Sequence, residues 1–461
     1  MIELPYDKYS KESILDYAEK LVDKTFKDVL DSYPLITDEL KETLYKQFNS
    51  SSSKGSLGNL LEEYYFYYPP TSKPVADFEE AGVELKVTPY LINKKGELRA
   101  KERLVLTMID FMEDYKYPFE ESHLYQKCAL MLIINYLYSQ DTERINFPIK
   151  FVNLFSFPEA DLEIIKQDYN VIINKIKAGK AHEISEGDTN YLGACPKGAN
   201  KDSVRKQPFS NELAMQRAFC LKNSYMTYVL NNYIASSCSS ESLIKDASVL
   251  KTATLEEYIL SKLSRYYGKD ILYLKDLFGI PYSTSHKAFT YYLAKNMLEV
   301  VNDRIEEFEK ANIKIKAIRV NKNNMPKEAM SFPSFKYTEI INEEWETSEL
   351  YTTFSETKYL FMIYEIQEDE SLTFKKAMFW NVPTKDLNTE IKKVWTETVE
   401  RIKSGEYEHL PKAIESPILH VRPHAANAED VYPTPDGGSA VKKCFWLNRE
   451  YIKKQIIKSE D

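Results

Sequence analysis

Cysteine is scarce in this chain. Five occur among 461 residues (Cys128, Cys195, Cys220, Cys238 and Cys444), and none forms a CxxC pair. A sparse, odd set excludes a disulfide framework or a zinc ribbon and fits reduced thiols in a cytoplasmic protein. Histidine is equally thin: six residues with no HExxH or similar ligand spacing. The nearest pair, His420 and His424 in "ILHVRPHAANAED", reads as a strand running into a loop. Long apolar runs are missing too. No run reaches the ~18 residues that a membrane span needs. "CALMLIINYLY" (Cys128 to Tyr138) is too short and reads as a buried strand or helix. "MIELPYDKYSKES" has no basic segment followed by an apolar one, so no signal peptide is expected. A net charge of −9 gives no global basic excess, which leaves any nucleic-acid binding to local clusters of the 61 Lys and Arg residues.

What the chain does have is length, tyrosine and a repeat. Its length exceeds one ordinary core and predicts two to four domains. The 34 tyrosines, several in adjacent pairs, read mainly as packing. "ASSCSSES" (Ala235 to Ser242) is Ser-rich and nearly uncharged, as a linker would be. The two sides of it resemble each other. "FEEAGVELKVTPY" (Phe78 to Tyr90) aligns with "FEKANIKIKAIRV" (Phe308 to Val320), and "CPKGANKDS" from Cys195 with "RPHAANAED" from Arg422. "RAFCLKNSYMTYVL" from Arg217 aligns with "KCFWLNREYIKKQI" from Lys443. The offsets are 230, 227 and 226, in the same order along the chain, which implies a tandem duplication of about 220 residues.

The copies differ in their chemistry. In the first, Val83, Leu85 and Val87 alternate with Glu84, Lys86 and Thr88, the period of a half-buried strand. Asp77 precedes it across the turn-like "EEAG". Upstream, Leu57, Leu60, Leu61, Tyr64, Tyr65 and Tyr68 keep helical spacing, with Glu62 beside that stripe. Downstream, Lys127 stands at the entrance of the apolar run "CALMLIINYLY". Glu62, Asp77 and Glu84 are hard oxygen donors of the kind that suits Mg²⁺, and Lys86 shares a strand face with Glu84. Such a metal polarises a phosphate and activates a water. Spacing alone leaves a second reading standing, a solvated strand face with a local ion pair. In the second copy the strand survives, but Lys314 replaces Glu84, Asn312 replaces Gly82, and Lys295 stands where Glu62 would be.

The strings "KGSLGNLLE", "SKPVADF" and "AGVELK" resemble the signature of the MutH/Sau3AI family of GATC-specific endonucleases, over most of the first 233 residues. The duplication resembles the restriction-enzyme branch of that family, which pairs an active MutH-like domain with a degenerate one. The resemblance implies an α/β fold of two tandem MutH-like PD-(D/E)xK nuclease domains. A catalytic domain is expected over 1–233, a linker over 234–250 and a degenerate DNA-binding or effector domain over 251–461. It implies Asp77, Glu84 and Glu62 as Mg²⁺ ligands, with Lys86 and Lys127 as active-site lysines. Lys197, Arg217 and Lys222, with Arg422 and Lys443 in the second copy, fall in the region implied to contact DNA. The expected activity is Mg²⁺-dependent double-strand cleavage at 5′-GATC-3′, with a second DNA site bound by the C-terminal domain and possible dimerisation on DNA. The alternatives are a MutH-like nickase of mismatch repair and a non-catalytic GATC-binding regulator. No membrane partner is expected.

Overall fold

The computed structural model describes residues 3–50, 56–70, 75–198, 203–235 and 240–459. The first half contains β1 (Glu84–Ile92), β2 (Leu98–Ala100), β3 (Leu104–Met108), β4 (Met131–Leu137) and β5 (Ile149–Phe155). It continues with β6 (Leu192–Pro196), β7 (Val204–Gln207), β8 (Ser210–Met215) and β9 (Arg217–Leu221). The second half supplies β10 (Ile313–Val320), β11 (Met330–Ser334), β12 (Lys358–Ile366), β13 (Leu372–Trp380), β14 (Leu419–Pro423), β15 (Val431–Pro433), β16 (Ser439–Val441) and β17 (Lys443–Leu447).

The expected repeat is present in the strand pairing itself. β1 runs parallel to β4, which pairs antiparallel with β5; β10 runs parallel to β12, which pairs antiparallel with β13. The orders β3-β9-β6 and β11-β17-β14 match in the same way, as do the hairpins β7-β8 and β15-β16. Register agrees to the residue: Glu84 faces Met131, and Lys314 faces Tyr359. The turn before the first strand is also kept. Gly82 has φ +65° and Asn312 φ +50°, and asparagine is a residue that tolerates this left-handed conformation.

β4 reads as a continuous apolar run because both its faces are covered. Leu132 and Ile134 pack under the N-terminal helices Lys11–Glu19 and Phe26–Ser32, and Met131 and Ile133 pack toward the long helix Glu159–Lys177. β1 departs from the half-buried strand expected of its alternation. Glu84 and Thr88 are as buried as Leu85, because the polar face is roofed by the second sheet rather than by water.

The halves share one apolar core, which runs from Ala100 through Leu221 to Leu360 and Ala377. The segment expected as a linker over 234–250 takes part in it: Leu243, Ile244 and Leu250 are buried there, and residues 236–239 lie outside the described residues. Polar groups cross the same junction. Lys310, 1% exposed, bonds Asp161 at 2.6 Å, and four tyrosine rings (Tyr191, Tyr225, Tyr228 and Tyr233) stand within 6.0 Å of its ammonium. Lys358 donates to Asn190 at 2.8 Å, and Arg103 bridges Glu186 and Glu356. Among the described residues no helix is long and apolar enough to cross a membrane.

Candidate active site

Local backbone chemistry assembles the acids. The short turn Glu79–Ala81 closes on Gly82, so Phe78 and Val83 exchange backbone hydrogen bonds of 2.9 and 3.2 Å. The chain is thereby folded back over the start of β1. The Leu85 N–H donates to Asp77 Oδ2 at 2.9 Å, and the Asp77 N–H donates to Glu84 Oε2 at 3.3 Å. Glu62 comes from the helix Ser56–Tyr64, which buries Leu57, Leu60 and Leu61 and so turns the neighbouring Glu62 toward the strand.

Two lysines close on Glu84, which is only 2% exposed. Lys86 Nζ lies 2.8 Å from its Oε1, as two residues on one strand face allow, and Lys127 Nζ lies 3.1 Å from its Oε2. Lys127 occupies the last turn of the helix His123–Cys128, just ahead of β4, and parallel pairing of β1 with β4 brings it alongside. All five residues expected in the catalytic set thus stand together.

The site carries more negative charge than it neutralises. Burial, and then the carboxylates of Asp77 and Glu84, push Glu62 up to about 7. Burial and Glu84 likewise raise Asp77, against the Leu85 N–H and the two lysines. The Tyr68 hydroxyl is buried without a hydrogen-bond partner among the described residues, and burial followed by Asp77 and Glu62 raises it well above its ordinary value. Crowded hard oxygen donors beside an orphaned hydroxyl fit a hydrated divalent cation. They do not form a closed cage: among the described residues no three His, Cys, Asp or Glu are placed to hold a metal ion by themselves. That openness suits an ion that keeps several waters and takes one or two carboxylates.

Sequence reasoning passed over two of the groups here. Tyr68 falls within an apolar stripe, and nothing in its spacing distinguishes it from the packing tyrosines around it. His123 stands one helical turn from Lys127; burial and then the Lys127 charge hold it below its ordinary value, and its Nδ1 lies 3.4 Å from Thr107 Oγ1.

The residues expected to touch DNA divide in two. Lys197 is half-buried and Arg422 is exposed, its guanidinium 3.7 Å from the Trp446 ring centre. The other three lie inside. Arg217, 8% exposed, donates to the Ala194 carbonyl at 2.6 Å, and Lys222, 7% exposed, donates to the Thr189 carbonyl. Burial and then Lys358 push Lys222 down to about 8. Lys443, 4% exposed, is held by the Tyr407 carbonyl and by Glu408. All three side chains are buried and bonded to backbone carbonyls of Ala194, Thr189 and Tyr407, whereas Arg422 faces outward.

The second copy keeps the strand and loses the acids. Lys314 and Lys316 occupy the places of Glu84 and Lys86 on β10. The counterpart of Asp77, Glu307, is turned away: its carboxylate accepts from Ser242 Oγ at 2.7 Å and from the Leu243 and Ile244 N–H groups at 2.9 and 3.1 Å. Lys295 bonds Asp303 at 2.9 Å.

Comparison with known proteins agrees with this layout. The family model of the DNA mismatch repair enzyme MutH matches the chain twice, at residues 66–168 and 298–393. The type II restriction enzyme Sau3AI of Staphylococcus aureus is 35% identical over 456 residues, covering 88% of this chain and 92% of that one. The DNA mismatch repair protein MutH of Shewanella woodyi is 24% identical over 230 residues, 49% of this chain and 94% of its own. That of Vibrio parahaemolyticus is 23% identical over 228 residues, 48% of this chain and 93% of its own. The chain belongs to the family of the type II restriction enzyme Sau3AI and is built from two MutH-like domains in tandem.

Proposed function

We propose that this member of the type II restriction endonuclease family cleaves both strands of DNA at 5′-GATC-3′, using the site in its first 233 residues and Mg²⁺. A cytoplasmic setting, where that substrate lies, accords with this reading. The observation that carries it is the grouping of Glu62, Asp77 and Glu84 with Lys86 and Lys127 around one buried strand end. Glu62, Asp77 and Glu84 would hold the cation, which when bound polarises the phosphate and lowers the pKa of a coordinated water. Lys86 orients the attacking water and offsets charge developing on the phosphate. Lys127 keeps the Glu84 carboxylate in place beneath it. The Leu85 N–H fixes Asp77, so two of the acids are positioned by backbone rather than by flexible side chains.

The second copy has a lysine in place of Glu84 and its Asp77 counterpart committed elsewhere. It is a DNA-binding effector in this reading, holding a second site while the first copy cuts. The MutH-like nickase alternative is weaker, since those relatives match only about half of the chain.

The test is digestion of a plasmid with defined GATC sites, with Mg²⁺ and with EDTA, beside Glu84→Ala. Linear fragments ending at GATC, dependent on Mg²⁺ and absent with Glu84→Ala, are expected. Nicked circles alone would move the function to a nickase. Bound but uncut plasmid would make the protein a binder.

A further inference from the structure

Where the first copy has its active site, the second has a cleft of about 720 Å³ beneath β10. Four cations and two carboxylates line it, in a chain whose net charge is −9. Both carboxylates are already engaged: Asp303 with Lys295 at 2.9 Å, and Glu309 with Arg304 at 3.0 Å. Lys314 and Lys316 are not. Neither has a carboxylate within ion-pair distance among the described residues, although they stand side by side on one strand face. Lys316 reaches only the Ser331 carbonyl, at 3.4 Å. Burial lowers both lysines; Lys314 adds to the effect on Lys316, and Arg99 of β2 in the first copy adds to the effect on Lys314.

In the first copy the equivalent pair, Glu84 and Lys86, neutralises itself at 2.8 Å. In the second, two like charges share one strand face at the cleft, Lys314 exposed and Lys316 half-buried, with no ion pair among the described residues, so an anion entering the cleft offsets their repulsion. Glu307, the counterpart of Asp77, is bonded to Ser242, Leu243 and Ile244 instead of lining the cleft.

We propose that this cleft is a phosphate site, in which Lys314 and Lys316 together grip one backbone phosphodiester of the DNA held by the second copy. The proposal rests on the effector reading given above and deepens it. Reversal of charge at the equivalent strand end turns a site that would hold a cation beside a phosphate into one that binds the phosphate alone.

The experiment uses the full chain carrying Glu84→Ala, so that DNA stays intact, with and without Lys314→Gln/Lys316→Gln. A short GATC duplex, too short to span both copies, is titrated at several salt concentrations, and the number bound per chain is counted. The parent takes two duplexes. The lysine variant keeps the first event unchanged and weakens the second roughly ten- to hundredfold, as loss of a charged hydrogen-bonded contact predicts. Its log–log salt slope falls by about 0.9, one phosphate's worth. Lys314→Arg/Lys316→Arg restores the second event. Two duplexes bound with parental affinity and slope by a folded Gln variant would overturn the phosphate site while leaving the effector reading intact. A parent that takes only one duplex overturns the effector reading and this proposal with it; thermal stabilisation by inorganic phosphate under those conditions, lost in the Gln variant, would reassign the cleft to a free anion.

Discussion

Replacing Glu62 by glutamine should make the metal-free protein more stable while removing its activity. Glu62 titrates near 4.5 in an unfolded chain and is pushed up to about 7 here by burial and by its neighbours Asp77 and Glu84. Between those values the native state holds a proton that the unfolded chain has released. Stability therefore falls as pH rises through that window and is level above it. A shift of that size corresponds to at most about 3 kcal/mol. The group is partly open to solvent, and screening brings the expected effect to roughly 1–2 kcal/mol. Glutamine keeps the shape and carries no charge, so the gain should be near zero at pH 4.5 and reach its plateau above pH 7. The assay is the denaturation midpoint of both proteins in EDTA across that range. Adding Mg²⁺ at pH 8 should then raise the midpoint of the parent more than that of Glu62→Gln. A gain equal at pH 4.5 and pH 8, or no gain at pH 8, would refute the claim that the acids crowd one another.

Tyr68→Phe should leave the unfolding midpoint unchanged or slightly raised, because the hydroxyl has no partner to lose, and should slow cleavage in a plasmid assay. Unaltered cleavage would reduce Tyr68 to packing. Lys310→Met leaves Asp161 buried and unpaired and should cost about 3–5 kcal/mol in denaturation. Adding Asp161→Asn should recover a large part of that loss, and simple additivity of the two changes would argue against their coupling. A chain ending at residue 233 should aggregate on expression, because it exposes the core face that Leu243, Ile244, Leu250, Leu360 and Met362 cover. A monodisperse truncated nuclease in gel filtration would show that the shared core is dispensable.

Much of this was legible in the residues. Three collinear matches implied the duplication because pairing register preserves an alternating pattern: slipping by one residue turns every side chain to the other face. The grouping of Asp77, Glu84 and Lys86 was also local, set by one turn and one strand face, and so it survived the step from sequence to structure. Lys127 and Glu62 depended on neighbouring elements whose packing partners are apolar and easily recognised. The residues expected to face DNA differ in their surroundings. Arg217, Lys222 and Lys443 carry the same charge as Lys197 and Arg422, but whether a cation meets solvent or a buried carbonyl depends on the strands stacked against it.

By itself, then, the sequence determined the repeat, the strand that carries the chemistry and the loss of its acids in the second copy. These are properties of spacing and residue type within about ten residues of chain. Only the tertiary structure decided the rest. It merged the two copies through one core, buried Lys310 against Asp161 across 149 residues, and set Tyr68 near three carboxylates with no hydrogen-bond partner among the described residues. It also engaged both acids of the second cleft while leaving Lys314 and Lys316 without an ion pair among the described residues. Burial and electrostatic environment come from residues distant in the chain, and no local pattern encodes what will be packed against a given side chain.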